Sequence, residues 1–105
     1  MKKREIIKIG NEDFTLQNKV VNYTDIISYD YKELNQCYKK CSSTKYSILT
    51  HYYNLLDNNS LDVIKYGIKS YNANIITIHA IINIDYVKYY VYITPTKNEI
   101  YKVCE

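Results

Sequence analysis

Residues 74–94 read NIITIHAIINI, then DY, then VKYYVYIT, and the way these two runs pair decides the fold. Ile, Val, Tyr and Thr dominate both, residues whose branched or planar side chains suit a pleated surface. Asp85 and Tyr86 separate the runs as a two-residue hairpin loop. Pairing Ile84 with Val87 sets Ile82 opposite Tyr89, Ala80 opposite Val91 and Ile78 opposite Ile93. This register gathers nearly all aliphatic side chains on one face, and a slip of one residue would turn them outward. A third run, residues 99–103 (EIYKV), follows the loop from Pro95 to Asn98 and extends the pair into an antiparallel meander.

The opposite face then carries Thr77, His79, Ile81 and Asn83 from the first strand and Lys88, Tyr90, Tyr92 and Thr94 from the second, with Tyr101 and Val103 from the third. His79, Tyr92 and Tyr101 are expected roughly side by side. Tyr supplies contact area at small entropic cost and is enriched at binding surfaces. If this face looks into water, Tyr90, Tyr92, Tyr101, His79 and Lys88 are the candidate binding residues.

Upstream, residues 5–9 (EIIKI) form a short apolar run closed by Gly10 and the polar Asn11, Glu12 and Asp13, which reads as a strand and turn. Residues 14–17 alternate and can pair back, and residues 19–23 (KVVNY) can extend them. From Asp25 the period changes. Ser28 or Asp30 can cap a helix in which Tyr31, Leu34, Tyr38 and Cys41 recur at helical spacing. Ser42 or Ser43 can cap a second helix, from Thr44 to about Asp57, with Tyr46, Leu49, Tyr53 and Leu56 on one stripe and Ile48, Tyr52 and Leu55 beside it. Residues 61–68 (LDVIKYGI) read as one more helical turn or a packed connection. The expected fold is a single α+β domain over residues 1–105: short N-terminal strands, two helices, and a C-terminal three-stranded antiparallel β-meander packed on the helices.

Composition removes several function classes. A chain of 105 residues with a net charge of +3 has room for one core, no dense basic arm, and too few acids to imitate DNA. Gly10 and Gly67 are its only glycines, so no phosphate-binding loop or dinucleotide fingerprint can be written. Cys37 and Cys41 stand four apart, a spacing poor for a bridge, and read as reduced thiols. With His51 they offer three metal ligands at most, and no second Cys or His pair has finger-like spacing, so neither a metal nor another cofactor is expected. Nor does a thiol-protease signature surround Cys37 or His51. No apolar run approaches the roughly 18 residues of a membrane span, so the chain is expected to be cytoplasmic and without a membrane partner. Ile, Lys, Asn and Tyr make up about half of the residues, all with AT-rich codons, which suggests a low-GC bacterium or a mobile element living in one.

Residues 20–56 (VVNYTDIISYDYKELNQCYKKCSSTKYSILTHYYNLL), together with Tyr-Gly-Ile at 66–68 and a meander containing Tyr-Val-Tyr-Ile-Thr, resemble in arrangement small proteins encoded by phages and other mobile elements of low-GC bacteria. Some of these are similar to anti-CRISPR inhibitors, which share no common fold. The resemblance implies a stoichiometric binder that blocks a host defence protein, and it transfers no functional residues. The expected function is therefore non-enzymatic contact with a larger host protein or nucleoprotein, such as an RNA-guided nuclease in the bacterial cytoplasm. The contact would use the tyrosine face or an exposed helix face. Two alternatives stand beside it. A single-strand nucleic-acid module would stack bases on Tyr90, Tyr92 and Tyr101 with Lys88 at a phosphate. A small metal-independent ribonuclease or toxin would use His79 to move protons near neutral pH.

Overall fold

The structure, a computed structural model, describes residues 5–33, 50–56, 62–71, 76–94 and 96–105. Its frame is a seven-stranded mixed sheet rather than a helix-backed meander. Along the chain come β1 (Ile6–Ile9), β2 (Glu12–Leu16), β3 (Val21–Asn22), the helix α1 (Tyr23–Ile27), a second helix α2 over residues 50–56, then β4 (Asp62–Tyr71), β5 (Ile76–Ile84), β6 (Val87–Ile93) and β7 (Asn98–Cys104). Strands occupy 59% of the described residues and helices 16%, which overturns the expected α+β architecture.

The β5–β6 hairpin has the register read from its side-chain alternation, with Ile84 opposite Val87 through Ile78 opposite Ile93. Asp85 and Tyr86 both adopt left-handed backbone angles, φ 51° and 68°, as a two-residue hairpin turn with the twist of its strands requires. Strand β7 pairs antiparallel with β6 and completes the meander.

Two features change the architecture around that meander. Residues 62–71 form a long strand, β4, antiparallel to β5, where a helical turn or connection was expected. Register shifts between Val63 and Lys65 and between Ile68 and Ser70 break its alternation, so the sequence lacks a clean period of two. The N-terminal hairpin also joins the same sheet. Strand β2 pairs parallel with β7 at Thr15 opposite Glu99, and β3 pairs parallel with the far end of β7 at Val21 opposite Val103. The order is β1-β2-β7-β6-β5-β4, with β3 further along the same edge of β7 that β2 occupies.

Each face of the sheet has its own core. The aliphatic face buries Ile78, Ala80, Ile82, Val91, Ile93 and Ile100 with Ile9 and Phe14, and Leu55 and Leu56 of α2 cover it. The other face holds Ile81 and Tyr90, closed over by Ile26 of α1. Asn22 caps α1, its side chain accepting from the Thr24 backbone amide at 3.0 Å. The helix ends at Ser28, so Ser28 lies at a helix C-terminus and caps no later helix. Tyr31–Glu33 are not helical; Lys32 instead makes a β-bridge to Ile68, and the rest of the expected first helix lies outside the described residues. Of the second expected helix, 50–56 is helical and 44–49 with Asp57 lies outside the described residues.

Candidate functional site

The face expected to meet water is covered at its centre. His79 is 0% exposed and Tyr90 4%, because the chain leaves β3, runs through α1 and lays residues 29–33 across them as a strap. The Tyr31 ring stacks on the His79 imidazole with centroids 4.0 Å apart, and its hydroxyl donates to the Ile26 carbonyl at 2.7 Å. His79 Nδ1 and the Tyr90 hydroxyl share a hydrogen bond of 2.7 Å. Tyr92 stands opposite His79 and Tyr101 opposite Tyr90, both half-buried and packed into the same core. Lys88 is half-buried too, its ammonium 2.8 Å from a Glu105 carboxylate oxygen and over the Tyr23 ring. The five residues do lie on one face as anticipated, but the open platform they were to form does not exist.

Burial dominates the chemistry of this cluster. It pushes the His79 imidazole down to about 4, since a charge there would lose its water. The Asp30 backbone partly opposes the shift, whereas the Lys69 and Lys32 ammonium groups reinforce it. The buried ring sits neutral; the Asp30 backbone favours its proton without a hydrogen bond of ordinary geometry, so Nε2 stays unsatisfied among the described residues. Burial likewise raises Tyr90 and Tyr31 far above the usual phenol range. A general acid–base histidine works best when solvent or substrate can reach it and its pKa lies near the working pH. His79 is buried, and its pKa is pushed well below neutral.

Lysines hold the strap from its outer side. Lys65 donates to the Ile27 carbonyl at 3.1 Å and lies over the Tyr31 ring. The Lys69 ammonium sits 5.2 Å from the Tyr29 ring centroid and 5.1 Å from that of Tyr92. Lys32 reaches the Lys69 carbonyl and the Asp30 carboxylate, each at 3.3 Å. None of this was legible in sequence, because Lys65 stood in a segment, residues 61–68, read as helical or connecting, and Lys69 lay just past its end.

The other prominent feature is the tip of the β5–β6 hairpin. Tyr86 is fully exposed, and Val87 beside it is 45% exposed. Next to the ring lies an open hollow of about 480 Å³ lined by Asp62, Asn83, Asp85, Tyr86 and Lys88. Asn83 donates to Asp62 across its floor at 2.8 Å. Sequence reasoning placed Tyr86 in the turn without seeing a site there. A signal was present, since Gly is favoured at this turn position and a bulky ring is not.

Among the described residues, no three His, Cys, Asp or Glu side chains gather as metal ligands. Cys37 and Cys41 lie outside the described residues, and His51 pairs with Glu12 at 3.0 Å. No described helix is long and apolar enough to cross a membrane. Comparisons with protein families, with curated proteins and with solved structures find no match.

Proposed function

We propose that this chain is a non-enzymatic binding protein that inhibits a host RNA-guided nuclease by stoichiometric contact, docking through the β5–β6 hairpin tip. The observation that carries this reading is Tyr86, fully exposed at a backbone φ of 68°. A non-glycine residue in the left-handed region costs about 1–2 kcal/mol, and glycine would avoid that cost. The ring gains no contact among the described residues in return, and strain kept at a surface points to a role outside the chain. Two long paired strands hold the ring rigidly, which limits the entropy lost when an aromatic anchor enters a partner pocket. The burial of His79 supports the non-enzymatic side of the proposal, because a ribonuclease using that imidazole would need it open to substrate. The choice of nuclease follows the resemblance to mobile-element proteins.

The test is a DNA-cleavage assay with RNA-guided nucleases of low-GC bacteria, run alongside size-exclusion chromatography. Added in equimolar amount, the chain is expected to co-elute with a nuclease and suppress its cleavage. Tyr86→Gly should lose both effects while unfolding about 4–8 °C higher, since relief of about 1 kcal/mol of turn strain has that effect in a domain of this size. Undiminished cleavage with no co-elution overturns the proposal. Inhibition unchanged in Tyr86→Gly overturns the docking site.

A further inference from the structure

A second surface is independent of the hairpin tip. Lys32, Lys65 and Lys69 lie along β4 and the strap, and Asp30 is the one carboxylate ion-paired with them among the described residues. Lys65 and Lys69 stand four residues apart on a strand, roughly 13 Å at the usual rise, a distance that reaches beyond a single backbone phosphate. Between and beside the ammonium groups lie the rings of Tyr29, Tyr31 and Tyr92. Tyr29 is 40% exposed and the Lys69 ammonium lies 5.2 Å from its centroid.

We infer that the Lys32, Lys65 and Lys69 cluster, with the Tyr29 ring, binds single-stranded nucleic acid. The partner is a polyanion because three ammonium groups face one carboxylate. It is single-stranded because an exposed ring can stack on a base only when that base is unpaired. Holding the strap does not exhaust these side chains. An ammonium has three donors, and Lys69 meets only ring faces among the described residues, which leaves its donors for phosphate oxygens. Lysines on an edge strand also deter unwanted strand pairing. That role alone does not call for a half-exposed tyrosine beneath one of them.

The test is fluorescence anisotropy with a labelled polyuridine oligomer of about 15 nucleotides, a length suited to one small binding surface, titrated over a range of salt. The intact chain should bind at low salt, with log affinity falling against log salt at a slope near −2, about 0.7 for each of three phosphates neutralised. Lys69→Gln should reduce that slope by about 0.7, and Lys69→Arg should keep it. Tyr29→Ala should weaken binding about fivefold or more at fixed salt, the loss of one stacked base. Lys8→Gln, on the opposite edge strand, should change nothing. No binding at low salt, or a slope near zero, overturns the inference without any variant being needed. So does Lys8→Gln costing as much as Lys69→Gln, which would mark diffuse charge. Tyr86→Gly should leave RNA binding intact, so this site and the nuclease contact can fail separately.

Discussion

His79 and Tyr90 show how a single buried pair ties stability to pH. The folded imidazole accepts a proton only near pH 4, whereas the unfolded ring does so near its ordinary 6.5. Above about 6.5 both states are neutral and the histidine leaves stability independent of pH. As pH falls from there towards 4, only the unfolded chain takes up the proton, so this contribution is lost, on the order of 3 kcal/mol across the window. Urea midpoints measured from pH 7 down to 4.5 should fall steeply in the native chain and less steeply in the double variant His79→Phe with Tyr90→Phe. Superimposable curves would mean that the ring is not buried in the neutral form. At pH 7 each single replacement leaves a polar partner orphaned and should cost about 1–3 kcal/mol, while the double replacement should cost less than their sum. The burial was not legible from a lone His in an apolar strand, because it depends on a segment about fifty residues away in sequence, although the bond to Tyr90 is made within the hairpin.

Among the elements, the β5–β6 hairpin was legible because a period of two and a two-residue turn permit only one register that buries the aliphatic set. Strand β4 was not. Its two register shifts mix the faces, and Gly67 looks like a terminator although it lies mid-strand. The structure gives that glycine its reason. A Cβ at Gly67 would lie 2.8 Å from the Lys32 carbonyl oxygen and 2.8 Å from the Tyr31 carbonyl carbon, so glycine is what lets the strap lie down on β4. Gly67→Ala should push the strap off and destabilise the chain by about 1–3 kcal/mol, the usual range for overpacking. Hydrogen exchange locates the damage. The Ile68 amide, which donates to the Lys32 carbonyl at 2.8 Å, should lose protection more than the amides of the β5–β6 ladder. Equal loss everywhere, or none, would refute the account of Gly67.

For the whole molecule, β7 is the strand on which the two halves of the chain meet. It is bonded to β6 along one edge and to β2 and β3 along the other, and its Ile100 is fully buried. Removing residues 98–105 should therefore leave β3 unpaired and β2 with β1 alone, and abolish cooperative unfolding by circular dichroism. A truncated chain that still unfolds cooperatively would show that the N-terminal hairpin is held some other way. The same junction explains which parts of the fold the sequence disclosed. Alternation and turn residues were enough to place the meander, its aliphatic face and the N-terminal hairpin, because each depends on neighbours a few residues apart. They could not show that the tyrosine face is roofed. Parallel pairing of β3 with β7 and the strap over His79 join residues more than forty positions apart, and such contacts follow from how the whole chain packs rather than from any local period. Among the described residues the lysines of β4 and the strap face outward beside the tyrosine rings, a neighbourhood that exists only once the strap has closed on the sheet.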